Sequence, residues 1–274
     1  MASTDQDQPP KGSASQETSL EPVHEAVRQE TAAPNKRSYR AWAFQIYVLV
    51  SLLAFAGLAL FASVFQVNDF DVQMSRAIQG GLPAWAGVVL VWVSWFGFAA
   101  QSVVTTLSVV AAVYLIGLRW EAFVLAVAGV GSWAVNYVIK VAVRRPRPTE
   151  DLVKVFDMLS SYSFPSGHVM YYTVFFGFLA FLSFTLLKRP WLRALLALAF
   201  TSLVVLVGPS RVYLGEHWTS DVVAAYLLGF LILSAVIFLY RTGKRRYAPQ
   251  QPVAPGTEEV SVPITGREKT NRGD

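Results

Sequence analysis

Between Trp42 and Tyr240 the chain is a succession of apolar runs, each about as long as a bilayer core is thick. In that solvent every backbone N–H and C=O must be satisfied internally, which leaves helices or a closed barrel. The runs show no alternating strand pattern, so an all-α polytopic membrane helix bundle is expected. Six spans are read: Trp42 to Phe65, Phe98 to Leu118, Trp120 to Val143, Val169 to Leu187, Trp191 to Val207 and Trp218 to Tyr240. Trp42, Trp120, Trp191 and Trp218 fall at span ends, as an interfacial aromatic belt requires. Residues 77–118 carry no charge. They are too long for one straight span and barely enough for two, so Pro83 to Phe96 is read as an interfacial or half-buried helix before the second span.

Charge is concentrated where the apolar runs are not. Residues 1–41 and 244–274 are polar and lack apolar periodicity, and are expected to be disordered tails around one membrane domain, residues 42–243. Some 40 polar residues precede the first apolar run, so no cleavable signal is read. Cysteine is absent, so thiolate chemistry and disulfides are excluded. The net charge of +5 comes from basic residues beside apolar spans, which points to membrane orientation rather than a nucleic-acid partner. With six spans, the shorter loops and the span-flanking tails at one face collect Lys36, Arg37, Arg40, Arg119, Lys188, Arg189, Arg193 and the basic run from Arg241 to Arg246. By the positive-inside rule that face, with both tails, is cytoplasmic, and the plasma (inner) membrane is the expected location. Arg144, Arg145 and Arg147 then lie outside, against the bias, which suggests another purpose for them.

This topology brings three polar segments to the outer face. They are Lys140 to Pro148, Phe164 to His168, and Ser210 to Asp221. A phosphate with about two charges needs several cations and N–H donors around its oxygens. Lys140, Arg147 and Arg211 supply the cations, while Ser166 and Gly167 open the fourth helix, where free N–H groups and the helix dipole favour an anion. Taken singly, each feature reads as a solvated juxtamembrane charge or an ordinary N-cap. His217 and Asp221 stand four apart on one helical face, so the carboxylate accepts from one ring nitrogen and leaves the other as a nucleophile. His168 is the second histidine at this face.

The order Lys140-x6-Arg147-Pro148, then Pro165-Ser166-Gly167-His168, then Ser210-Arg211-x5-His217-x3-Asp221 resembles the three-part signature of the type 2 phosphatidic acid phosphatase superfamily. The resemblance implies a membrane lipid phosphate or diphosphate phosphatase. In it His217 attacks phosphorus, Asp221 orients His217, and His168 protonates the leaving oxygen and then activates water. Lys140, Arg147, Ser166, Gly167 and Arg211 hold the phosphoryl oxygens, with no metal and no cofactor. The implied partners are a lipid-like phosphorylated substrate and membrane lipids. Arg144, Arg145 and Glu216, outside the signature, are read as tuning substrate choice or simply as solvated. A lipid phosphotransferase built on the same phosphohistidine is the alternative. A transporter would place polar residues along the middle of several spans, where only Ser132 and Asn136 stand out, and a soluble haloperoxidase is at odds with six apolar spans.

Overall fold

Local punctuation sets where each helix begins and ends. In the computed structural model, which describes residues 36–247, the first span is α1 (Lys36–Val64). Asn68 then caps α2 (Asp69–Gly81), its Oδ1 accepting from Asp71 N at 3.0 Å, with Asp69 and Asp71 placed against the positive helix end. Pro83 precedes α3 (Ala84–Trp95), and a break at Phe96-Gly97-Phe98 leads into α4 (Ala99–Leu115). After Gly117, at φ 91°, come α5 (Arg119–Val143) and the helical segment 167–186. That segment comprises α6 (Gly167–Tyr171), a π-helical turn (Tyr172–Phe176) and α7 (Gly177–Leu186). Pro190 opens α8 (Pro190–Tyr213), and α9 (Thr219–Tyr247) is the last element. Among the described residues there is no strand.

Contacts between helix ends fix the topology. Lys244 Nζ lies 2.6 Å from Glu121 Oε1, joining the end of α9 to the start of α5 at one face. Arg145 Nη1 lies 2.6 Å from Asp221 Oδ1, joining the far ends of the same helices at the other. The 17 residues of α4 rise about 25 Å, enough for a thin bilayer crossing. The pair α2–α3 is bent by 116° and does not cross. Asp71 near its start meets Arg145, and Ser94 near its end meets Arg211, so it leaves and returns to the Arg145–Asp221 face. Six crossings result, and the expected half-buried helix over residues 83–96 is α3.

Several boundaries differ from the sequence reading. The fifth span continues six residues past Val207, through Pro209 to Tyr213, and α2 is an element that apolarity alone did not mark. Helix α1 also begins at Lys36 and α9 reaches Tyr247, so a turn of each expected tail is helical, while the rest of residues 1–41 and 244–274 lies outside the described residues.

The segment 167–186 is the centre of the bundle. It is 72% buried over its span against 11% for α1, which presents most of its surface to lipid. Val169, Met170, Tyr172, Phe175 and Phe178 have no exposed surface and form the core with Leu125, Val207 and Ala225. Tyr172 sits in the π-helical turn, a distortion frequent at functional sites, and its hydroxyl donates to Val93 O, pinning α3 to the central helix.

Candidate active site

The end of α5 supplies Lys140. Arg144 closes that helix at φ 53°, with its N–H on Lys140 O at 2.9 Å. A left-handed closing residue is usually glycine. Here the reversal leaves Arg144 exposed and turns Arg145 inward, where no surface of it is accessible. At the other end of the sequence, α8 must deliver Ser210 and Arg211 past Pro209. The hydroxyl of Tyr226, from α9, is spliced into its hydrogen-bond ladder. Gly208 N donates to Tyr226 Oη at 3.0 Å, and that hydroxyl donates to Val204 O at 2.6 Å. A Cβ on residue 208 would lie 2.6 Å from the same oxygen, so glycine is required. Ser210 Oγ then donates to Leu90 O at 2.6 Å, and Arg211 is fully buried.

Asp221 occupies the third position of α9, and its Oδ2 accepts the N–H of Trp218 at 2.9 Å, the carboxylate half of a capping box. Oδ1 accepts Arg145 Nη1. Oδ2 also accepts Ser163 Oγ and faces His217 Nδ1 at 3.6 Å. The other ring nitrogen, His217 Nε2, lies 3.3 Å from Arg147 Nη1. A guanidinium only donates, so Nε2 meets it as an acceptor and presents its lone pair to the basic cluster. Burial, then the charges of Arg147, Lys140, Arg211 and His168, hold the His217 imidazole well below its ordinary value and therefore neutral at pH 7.

The cations are held by backbone and carboxylate partners. Lys140 Nζ donates to Tyr162 O and to Ser163 O, the latter at 3.3 Å. Arg147 donates to Ser161 O at 2.7 Å, Ser161 Oγ at 2.9 Å and Glu216 O at 2.6 Å, and burial lowers it to about 10, still charged at neutral pH. Arg211 pairs with Glu216, donates to Ser94 Oγ and lies over the Phe98 ring, 5.6 Å from its centroid. The His168 ring stands edge-on to Phe98 at 5.1 Å. The backbone of Gly97 presses so close that a Cβ there would lie 2.1 Å from His168 Cδ2. His168 Nε2 and Ser166 Oγ are buried and, among the described residues, have no hydrogen-bond partner. Leaving each unsatisfied costs about 1–3 kcal/mol. Two such atoms beside three cations make a cradle suited to an oxyanion.

The residues singled out in the sequence therefore converge: Lys140, Arg147, Ser166, Gly167, His168, Arg211, His217 and Asp221 share one face, with Gly167 closed in by Asn136. Arg145 and Glu216 are not solvated. Both are buried in ion pairs, because the left-handed turn at Arg144 and the short 214–218 loop direct them inward. Sequence reasoning missed Ser163, Asp71, Ser94, Gly97 and Phe98. Only Asp71 left a signal, a carboxylate three residues after a capping Asn68. Among the described residues no cluster of three or more His, Cys, Asp or Glu is arranged to hold a metal.

Comparison with known proteins points the same way. The PAP2 superfamily matches residues 120–245. Phosphatidylglycerophosphatase B of Bacillus subtilis (strain 168) is 28% identical over 195 residues, 70% of this chain and 94% of that protein. Undecaprenyl-diphosphatase of Sulfolobus acidocaldarius is 32% identical over 108 residues, 39% of this chain and 43% of that protein. The crystal structure of a transmembrane PAP2 type phosphatidylglycerolphosphate phosphatase from Bacillus subtilis superposes with a TM-score of 0.62 at 26% identity, covering 72% of this chain and 98% of that one.

Proposed function

We propose that this chain, whose residues 120–245 match the PAP2 superfamily and whose fold superposes on a PAP2 type membrane phosphatase, hydrolyses a lipid phosphomonoester or terminal phosphoanhydride through phosphohistidine at the extracytoplasmic face. The observation that carries the proposal is the state of His217. One nitrogen is backed by Asp221, and the other offers its lone pair to a nest of cations.

In the first step His217 Nε2 forms a bond to phosphorus as the bond to the leaving oxygen breaks. His168, across the cradle, gives a proton to that oxygen. In the second step His168 takes a proton from water, whose oxygen attacks phosphorus, and the P–N bond breaks to release phosphate. Lys140, Arg147 and Arg211, with Ser166 and the N–H groups opening α6, balance the charge that develops on the phosphoryl oxygens. Asp221 stays ionised and supports the positive imidazole in between.

The face assignment rests on loop charge. Arg119, Lys188, Arg189, Arg193 and Arg241 to Arg246 gather opposite the site, so the site is outside and both chain ends are cytoplasmic. An amphiphilic substrate fits a cradle at the ends of membrane spans, which a lipid headgroup reaches by lateral diffusion.

Purified protein assayed against phosphatidate, phosphatidylglycerophosphate and undecaprenyl diphosphate, with released phosphate measured, tests the proposal. At least one should be hydrolysed by the wild type and none by His217→Ala, which should also form no acid-labile phosphoenzyme. A well-folded His217→Ala protein that still forms phosphoenzyme would overturn the mechanism.

A further inference from the structure

We infer that Asp71 and Arg145, which lie outside all three motifs, are positioning residues that set the orientation and effective charge of Asp221, and that α2 is thereby part of the catalytic machinery. The inference rests on the His217–Asp221 mechanism above.

Three charged side chains, Asp71, Arg145 and Asp221, stand in a row with no exposed surface on any of them. Arg145 donates from all three of its nitrogens. Nη2 donates to Asp71 Oδ2 at 2.8 Å, Nη1 to Asp221 Oδ1 at 2.6 Å and to Ser220 Oγ at 2.7 Å, and Nε to Gln66 O at 2.9 Å. Its far face lies 5.9 Å from the Trp218 ring centroid. Asp71 is equally saturated. It accepts Ser220 N at 2.9 Å, Ser220 Oγ at 2.6 Å and Asn68 Nδ2 at 2.7 Å as well as the guanidinium. The α2 carboxylate thus grips the first turn of α9 one residue before Asp221.

Two consequences follow for His217. First, with Oδ1 fixed by Arg145, the Asp221 carboxylate cannot rotate, and Oδ2 is the oxygen held toward Nδ1. Second, one guanidinium is shared between two carboxylates. Asp221 therefore keeps much of its negative charge for the imidazole, which it would lose if Arg145 paired with it alone. Asp71 decides that division. A bridge serving only to tie α2 to α9 would need neither the fork on Oδ1 nor the second anion.

The test separates rate from folding. Wild type, Asp71→Asn, Arg145→Lys and His217→Ala are purified in detergent, and the monodisperse fraction is measured. Nitrophenolate release from p-nitrophenyl phosphate is then followed in single turnover with enzyme in excess. At saturating enzyme that first-order constant is set by the active molecules and not by their number, and its dependence on enzyme concentration gives the half-saturation value, read as KM. Removing a partner that orients a reacting group typically costs about 10- to 100-fold. Asp71→Asn should therefore slow the constant about tenfold and Arg145→Lys further. KM should stay within about twofold, because Lys140, Arg147 and Arg211 are untouched. If Asp71→Asn is not recovered folded, Ser220→Ala, which leaves both ion pairs, should show the same selective slowing at a few-fold.

A wild-type rate constant in folded Asp71→Asn, or a loss expressed only in KM or in the monodisperse fraction, would overturn the relay. His217→Ala retaining nitrophenolate release would instead overturn the mechanism on which it rests, whatever the other variants do.

Discussion

Replacing Gly97 by alanine should convert the enzyme into one that discriminates sharply between leaving groups. The new Cβ would lie 2.1 Å from His168 Cδ2, 2.7 Å from Cγ and 2.9 Å from Nε2, whereas ordinary contact begins near 3.4 Å. The ring or the turn must therefore yield by about 1.3 Å, the difference between 3.4 and 2.1 Å. Gly97 is not in the left-handed region, so the substitution acts through this collision and not through backbone strain. The ring has little room to move, with Phe98 edge-on at 5.1 Å. A misplacement of about 1 Å in a reacting group costs about 10²-fold, or about 2.7 kcal/mol. The whole value of a general acid, about 10²–10⁴-fold, sets the ceiling. The expected outcome is a loss of about 10²-fold in kcat/KM on dioctanoyl phosphatidate, whose alkoxide needs a proton. Nitrophenolate release from p-nitrophenyl phosphate in single turnover should change less than about threefold. Thermal unfolding in detergent checks that the variant is folded. Folded Gly97→Ala with wild-type lipid activity, or with equal losses on both substrates, would refute the assignment of His168 to the leaving group.

Other outcomes follow from the same geometry. Because burial and four neighbouring charges hold His217 below its ordinary value, its ¹⁵N imidazole signals should remain those of a neutral ring as pH falls through about 6.5. The unfolded state takes up that proton first, so this group's contribution to stability is present above about pH 6.5 and is lost as pH falls toward the folded value. Impermeant maleimide should label Ser160→Cys but not Thr242→Cys in intact cells, in a chain with no native cysteine; the reverse pattern would invert the proposed orientation. Chelators should leave turnover largely intact and vanadate should inhibit, since Lys140, Arg147 and Arg211 supply the positive charge; an EDTA loss restored by magnesium would contradict this. Arg144→Gly should raise the unfolding midpoint slightly, relieving a left-handed residue that costs about 1–2 kcal/mol, with activity unchanged because Arg144 is exposed.

The legible part of this protein was what hydropathy and residue type encode. Five long spans and a short one after Phe98 follow from apolar length, because a bilayer leaves few alternatives, and the reading of residues 83–96 as a helix that does not cross needed the division of loop charge as well. The convergence of His217, Asp221, His168 and three cations follows from the parity of crossings. What was not legible depends on directions that a string does not carry. Arg144 and Arg145 are adjacent and identical, yet one is solvated and one is buried, and a single positive φ makes the difference. Asp71 is 74 residues from Arg145 in sequence, so no spacing rule joins them. Gly97 carries no mark in the sequence of the His168 ring that it accommodates.

The hydroxyl of Tyr226 inside the α8 ladder has a mechanical consequence. A proline within a helix ordinarily makes a hinge, and a hinge two residues before Arg211 would let the bilayer's lateral forces move Arg211 relative to His217. Here the interrupted turn is referenced to the neighbouring helix. Tyr226 stands on α9, about one and a half turns below Asp221. Arg211 and the His217–Asp221 pair thus share one datum at the mouth of the bundle. Bending or tilting of the spans below that point should therefore leave the separation of Arg211 from His217 unchanged, because both are set above the Tyr226 tie.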